Sequence, residues 1–464
     1  MFQSIRGPTG AVIFVNLLLA VVAFLKDTLY AIYFGTQQEA DQLALSFFIA
    51  DTLGNGLFAA VLASACVPKL TELTLSGDEA RLRSSIRWAV IGTAAIGLLL
   101  ASLCAIFSVP LLGSFGAELA PRGQDTSTAL LLLMLPITLL APLGAVGTSV
   151  LQAQREFIRP AVAPVLLNGV LLAAIVVALA LQLPHESGVY VYAMCVTGAA
   201  AVMAVYVWQP IVGTRGGVRL TDRLLPRLDP VVRADVREMA AAALPYFFIL
   251  LTSQTVLLVE RYLASQLEVG TIAGLNYAYR ISQFPIWVFA AAISAVVLPS
   301  LSEWIRSREW HKLQQRLHRS VLAITALTLP LSLLFYVFHE PIVALLFLRG
   351  SFDHSSLALT SGMLQSYALC MVGQGISTVV LRYFLAAGQM SRALLVFILS
   401  GAVTIALDLV LVARLGAPGI GYAAACGWSL NAVCLWLMMV RSLRMTMKKE
   451  GFADGQITSH HSSL

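Results

Sequence analysis

Apolar residues run along this chain in long unbroken blocks. Twelve blocks stand out, at roughly 9–34, 41–67, 86–111, 127–151, 160–183, 189–211, 239–262, 272–301, 321–339, 357–384, 393–413 and 419–440. About 20 apolar residues are needed to cross a bilayer as a helix, and most of these blocks reach that length. The blocks are continuous rather than alternating, so a β-barrel does not fit. Short polar connections separate them, too short for a further folded domain. The pattern predicts an all-α polytopic membrane protein of about twelve transmembrane helices.

Composition sharpens this. The 464 residues are 58% hydrophobic and 12% charged, against about 25% charged in soluble chains, and the mean hydropathy is +0.83. The Lys and Arg residues separate by side. The N-terminus, the segments 68–87, 152–159, 212–238, 302–320 and 382–392, and the C-terminus hold 24 of the 30. The opposite connections hold 4, namely Arg122, Arg261, Arg349 and Arg414. This asymmetry predicts that both termini are cytoplasmic. The net charge of +6 is then explained by loops beside anionic lipid, and no nucleic-acid partner is expected. The six cysteines all fall in spans without a CxxC pair, and the seven histidines form no ligand-spaced cluster. A metal site is therefore not expected. The first apolar block is too long for a cleavable signal and reads as an uncleaved span. The polar tail, 444–464, reads as disordered.

The chain also repeats itself. "AVLASACVPKLTE" at 60–72 is echoed by "AAISAVVLPSLSE" at 291–303, with Pro68 and Pro299 equivalent, and "LQAQREFIRP" at 151–160 is echoed more loosely by "LAAGQMSRA" at 385–393. The expected organisation is an N-terminal six-helix lobe (1–215), a cytoplasmic basic linker (216–238), a C-terminal six-helix lobe (239–443) and the tail. Both halves start on the same side, so the repeats are parallel, an arrangement suited to alternating access around a shared interior.

Charges inside the spans mark the interior. "NYAYRISQFPIWVF" (276–289) carries Arg280 within an apolar block, and span one carries Lys26 beside Asp27. At 1.5 Å per residue, Lys26, Asp27, Asp51 and Arg280 all fall about 12–15 Å from the outer end of their spans, on one level. Intramembrane charges are costly and so carry a partner or a task. Two roles fit: structural ion pairs, such as Lys26 with Asp51 or Arg280 with Asp27, or a water-filled cavity binding an anionic group in transit, for which the planar fork of Arg280 suits phosphate. Asp41 stands where it caps span two, or lines the same cavity. Asp408, in "TIALDLVLV", fits an ion pair with an arginine or a coupling cation. Pro136, Pro142, Pro245, Pro285 and Pro330 sit in or beside spans, where they kink helices or simply pack.

Four stretches together carry a resemblance: "FLKDTLYAIYFGTQQEAD" (24–41), "VPKLTE" (67–72), "LQAQREFIRPAVAPVLLN" (151–168) and "NYAYRISQFP…LPSLSE" (276–303). With them the chain resembles the MurJ/MviN branch of the MOP exporter superfamily, the bacterial lipid II flippases. The resemblance implies a V-shaped two-lobe transporter that moves a polyprenyl-pyrophosphate-linked glycan precursor, lipid II or a related lipid-linked oligosaccharide, across the bacterial cytoplasmic (inner) membrane for peptidoglycan or other envelope polysaccharide synthesis. It implies cavity roles for Arg280, Lys26, Asp41 and Asp51, and an ion-pair or coupling-ion role for Asp408 and Asp27. No cofactor beyond a coupling monovalent cation is implied, and no enzyme activity. Membrane lipid and envelope-biosynthesis proteins are the other partners. The chain departs from the family pattern at Ala20 and at Gly54–Asn55, where the family carries arginines, at Tyr279, where it carries aspartate, and in having twelve expected spans for fourteen. The alternatives are a MOP-family drug/cation antiporter and a non-transporting envelope scaffold.

Overall fold

The apolar blocks fold into helices, and no strand occurs among the described residues. The computed structural model describes residues 8–115, 121–212 and 229–449. The core of the expected linker (213–228), the tail from 450, and the side chains of 287–300, 302 and 303, which carry half of the repeat, lie outside the described residues.

In chain order the helices are α1 (Pro8–Phe34), α2 (Gln38–Asp51), a π-helical stretch (Thr52–Ala59), α3 (Ala60–Ser76), α4 (Glu79–Ile106), α5 (Ser108–Gly113), α6 (Pro121–Met134), α7 (Ile137–Ala153), α8 (Ile158–Ala180), α9 (His185–Trp208), α10 (Pro230–Ala264), α11 (Thr271–Arg306), α12 (Trp310–Val337), α13 (His339–Phe347), α14 (His354–Ala368), α15 (Cys370–Ala386), α16 (Met390–Leu415) and α17 (Pro418–Lys449). Among the described residues ten helical spans are long and apolar enough to cross a membrane, and α14 with α15, bent by 45° at their junction, makes an eleventh. The segment expected as span eight is the 36-residue helix α11. The protein is an all-α polytopic membrane protein.

Local chemistry sets the helix ends. Gly77, at φ +74°, ends α3 in the left-handed conformation that side chains disfavour, and Asp78 then caps α4 by accepting from the Arg81 N–H at 3.0 Å. Asp353 does the same for α14, accepting from the Ser356 N–H at 2.8 Å and from the Ser355 and Ser356 hydroxyls. Those bonds hold its carboxyl at about 2, below the usual carboxylate value. The cap is therefore fully present above about pH 4 and fades as pH falls through about 2. Pro136 separates α6 from α7, whereas Pro142 and Pro330 lie inside continuous helices.

The Cα packing divides the chain into two compact units, residues 1–280 with 340–361, and residues 281–339 with 362–464. The boundary cuts α11 at Arg280 rather than following the two sequence halves. In the first unit α1 packs on α8, α8 on α9, and α7 on α3, α4, α9 and the π-helical stretch, with α10 laid on α3 and α4. Leu70, Leu73, Ile86, Val150, Val207 and Met239 form an apolar core where these helices meet. In the second unit α17 packs on α15 and α16, and α12 on α15.

Two features of the first unit fix α10 and span two. At one end of α10, Asp235 is buried and accepts from Arg81 on α4 through Nε and Nη2 (2.7 and 2.6 Å), with Lys69 of α3 at 3.3 Å. Lys69 also donates to Glu238 at 2.7 Å. At mid-span, Gly54 lies so close to α7 that an added Cβ would stand 2.9 Å from the Ile137 carbonyl oxygen. No arginine fits here, so the departure at this position follows from packing. Gly54→Ala is expected to destabilise the fold by about 1–3 kcal/mol, measured as a lower denaturation midpoint in detergent with far-UV helicity retained.

Candidate functional site

One end of the first unit is a knot of tight turns. Gly35 (φ +59°) turns α1 into α2, and an added Cβ would strike the Ser351 carbonyl, so only glycine fits. Thr36 bonds Ser356 at 2.8 Å, and Ser351 donates its N–H to the Ile32 carbonyl at 2.9 Å. His185, at the start of α9, reaches Gln37 at 2.8 Å and Ser351 at 3.1 Å. Tyr277 donates to the Gly35 carbonyl at 2.6 Å.

Asp41 belongs to this knot. It does not cap its own helix. Its two oxygens accept from the backbone N–H groups of Gly270 (2.6 Å) and Ala273 (2.7 Å), at the start of α11. The carboxylate so satisfies the unbonded amides and the positive end of α11. Asp41→Ala removes two charge-assisted bonds, each worth about 1.5–3 kcal/mol. A marked fall in unfolding temperature is expected, with a smaller fall for Asp41→Asn, which keeps one acceptor oxygen.

The rings of Tyr30, Phe34, Tyr192 and Tyr277 stack edge to face or tilted on one another beside the knot, with Tyr30 5.3 Å from Tyr192 and 6.1 Å from Tyr277. One turn from Tyr30 along α1 is the charged level that the sequence predicts. Asp27 stands between two cations. Its Oδ1 is 3.1 Å from the Lys26 ammonium, and its Oδ2 is 3.4 Å from Arg280 Nη1. Of the two pairings considered, Arg280 with Asp27 is formed, while Lys26 is paired to Asp27 rather than to Asp51. Asp51 accepts from Asn55 at 2.7 Å and lies within electrostatic reach of both cations.

The side chains differ in access. Lys26 is 5% exposed, Asp27 20% and Arg280 31%. A guanidinium with a third of its surface open, held by an ion pair longer than a tight charge-assisted bond, can exchange its partner.

Two neighbours lie beyond the residues that the sequence pattern singles out. Arg261, counted among the loop residues, is inside α10 and buried. It sits 4.3 Å over the Phe48 ring and donates to Asn276 Oδ1 at 3.2 Å and to the Leu257 carbonyl at 3.3 Å, with Glu260 beside it at 3.9 Å. Gln254, two turns earlier on α10, accepts from Thr52 at 3.3 Å. The "ER" pair at 260–261 in an apolar context was the available signal for the first.

Asp408 belongs to the second unit. It is buried on α16 in line with Thr404 and Ser400, one and two turns earlier. Asn431 of α17 donates to Ser400 at 2.9 Å. The structure thus brings Lys26, Asp27, Arg280 and Asp51 to one level of one unit, places Asp41 in the turn knot, and sets Asp408 in a separate polar stripe.

The fold is that of a multi-pass MOP transporter. It superposes on a solved structure titled "Lipid II flippase MurJ, inward closed conformation", at TM-score 0.77 and 20% identity, covering 95% of this chain and 93% of the other. It superposes equally, at TM-score 0.77 and 15% identity over 95% and 99% of the two chains, on an inward-facing multidrug resistance MATE family transporter of the MOP superfamily. Sequence narrows the class. The chain belongs to the lipid II flippase MurJ family, whose family model matches residues 30–454. A relative from Rhizobium meliloti (strain 1021), named "Probable lipid II flippase MurJ", is 29% identical over 425 residues, 90% of this chain and 77% of its own.

Proposed function

We propose that this protein flips a polyprenyl-pyrophosphate-linked glycan precursor, lipid II or a related lipid-linked oligosaccharide, across the bacterial cytoplasmic membrane by alternating access. Family membership supports the task. The observation that carries the mechanism is the shared carboxylate of Asp27 between Lys26 and Arg280. In a low-dielectric interior, two cations balanced by one short acidic side chain form a site that trades that acid for a stronger anion. Arg280 supplies the fork for the pyrophosphate oxygens, Lys26 a compact second charge, and Asp27 returns when the cargo leaves. The prenyl tail stays in lipid throughout.

The lysine and arginine asymmetry supports placing both termini in the cytoplasm. The turn knot around Asp41 then faces outward, and the amide cap on α11 forms part of the outer closure. A monovalent cation at Asp408 is the proposed coupling ion. Asp408→Asn is accordingly expected to abolish any sodium dependence of transport while leaving cargo binding intact.

Rescue in cells tests the function. A bacterial host is depleted of its own lipid II flippase while this protein is expressed, and the outer-leaflet fraction of lipid II is measured with an externally added lipid II-cleaving enzyme. Restoration of growth and of outer-leaflet lipid II is the expected result. Efflux of cationic dyes without rescue would favour an antiporter, and neither activity from well-expressed protein would favour a scaffold.

A further inference from the structure

The middle of span two is wound as a π-helix over Thr52–Ala59, between α2 and α3. Long π segments are rare, and π turns concentrate at functional sites. Polar groups gather here. Asn55 donates to Asp51 Oδ1 at 2.7 Å, and Thr52 donates to Gln254 Oε1 at 3.3 Å. Gly56 leaves the space in which the Gln254 amide lies, since an added Cβ would stand 2.9 Å from Nε2. Gln254 belongs to "TSQT" (252–255), in the middle of α10. Its three neighbours turn their hydroxyls back to carbonyls one turn earlier on the same helix, Thr252 to Phe248, Ser253 to Ile249 and Thr255 to Leu251. Gln254 alone among these four reaches another helix. Asp51, Thr52, Asn55 and Gln254 are all half-buried. Polar side chains at this depth line a protein interior or a water-filled space rather than lipid.

Their chemistry differs from that of the neighbouring cations. A carboxylate only accepts hydrogen bonds and has about four lone-pair positions. Asn55 takes one on Asp51, so the rest call for O–H or N–H donors. An anion is repelled by Asp51, which excludes a second phosphate position. The amides of Asn55 and Gln254 and the Thr52 hydroxyl both donate and accept. Planar carboxylate and amide groups beside a hydroxyl match the adjacent hydroxyls and acylamino groups of a sugar ring. Position agrees, because Asp51 lies within electrostatic reach of Lys26 and Arg280. In a pyrophosphate-linked glycan the first sugar is bonded directly to the phosphate.

We infer that Asp51, Thr52, Asn55 and Gln254 form a glycan-reading subsite, which takes the sugar next to the pyrophosphate held at Lys26 and Arg280. The inference rests on the proposed flippase function and deepens it. The subsite selects cargo by its sugar, whereas the cationic level selects any polyprenyl pyrophosphate.

Binding to the full-length protein in nanodiscs tests it with two probes, undecaprenyl pyrophosphate and the same lipid carrying an N-acetylated disaccharide. Wild type is expected to prefer the glycosylated probe at least tenfold. Gln254→Leu and Asn55→Ala are expected to remove most of that preference while binding of the bare pyrophosphate lipid stays within about twofold. Gln254→Glu, which keeps the size and a hydrogen-bonding end, serves as the second variant if Gln254→Leu fails to fold, and it too is expected to lower the preference. Equal affinity of wild type for both probes overturns the subsite but leaves the flippase reading standing, as does an equal loss of both probes in the variants. Failure of wild type to bind either probe overturns the flippase reading and the subsite with it.

Discussion

Arg280→Ala is expected to abolish rescue of a flippase-depleted host, lowering flipping at least a hundredfold. The guanidinium is the most exposed of the three charges in the Lys26–Asp27–Arg280 cluster, at 31%, and it shares Asp27 with Lys26. Its removal takes away the planar donor pair for the pyrophosphate and leaves Asp27 with the lysine alone. A hundredfold loss corresponds to about 2.7 kcal/mol, within the about 2–5 kcal/mol that truncating one partner of a buried charge pair costs in binding. Arg280→Lys keeps the charge without the fork and is expected to retain part of the activity. Flipping rate measured alongside thermal unfolding separates a lost site from a lost fold. An Arg280→Ala protein that unfolds normally and flips at the wild-type rate would show that the charge is only a structural pair.

Asp235→Ala is expected to give the largest stability loss of any single change. The carboxylate is 2% exposed and is held by both nitrogens of the Arg81 fork and by Lys69. Breaking a buried pair by deleting one partner typically costs about 3–5 kcal/mol, because the remaining charges stay desolvated. Here Lys69 keeps Glu72 and Glu238, while Arg81 loses its bidentate partner. Helix α4 then loses its ion pair to α10, while Lys69 and Glu238 still link α3 to α10. A fall in unfolding temperature larger than that of Asp41→Ala is the expected reading. Combining it with Arg81→Ala should restore part of the loss, since the second change removes the stranded cation.

Much of this was legible in the sequence, for physical reasons that differ by residue. A helix that crosses a bilayer satisfies its own backbone, so apolar length alone marked the spans. Lys26, Asp27, Asp51 and Arg280 could be placed on one level because helical rise converts position into depth. Residue spacing along one helix does not choose partners on another. Lys26 to Asp51 was as reasonable as Lys26 to Asp27, and only the fold shows Asp27 serving both cations. Asp41 looked like a cap for its own helix because local capping is the commoner arrangement. Its actual targets, Gly270 and Ala273, lie more than 200 residues away. Arg261 counts with the outer connection because it stands at the last turn of its apolar block (239–262), whereas α10 continues to Ala264 with the guanidinium resting on Phe48. The π-helical stretch has no residue code. Gly54, Asn55 and Gly56 permit it, and close packing of Gly54 on α7 and Gly56 on Gln254 shows what it accommodates.

The measurement that bears most directly on the flippase mechanism is transport by the purified protein. The chain is reconstituted into liposomes with a fluorescent polyprenyl-pyrophosphate glycan, and the fraction of probe reached by a membrane-impermeant quencher is followed with time, for wild type and for Arg280→Ala. Rapid equilibration of the probe between leaflets with wild type, and a rate near that of protein-free vesicles with Arg280→Ala, is the expected result. Equal rates for the two proteins, or no movement with a correctly folded wild type, would contradict a flippase that carries its cargo on this cationic level.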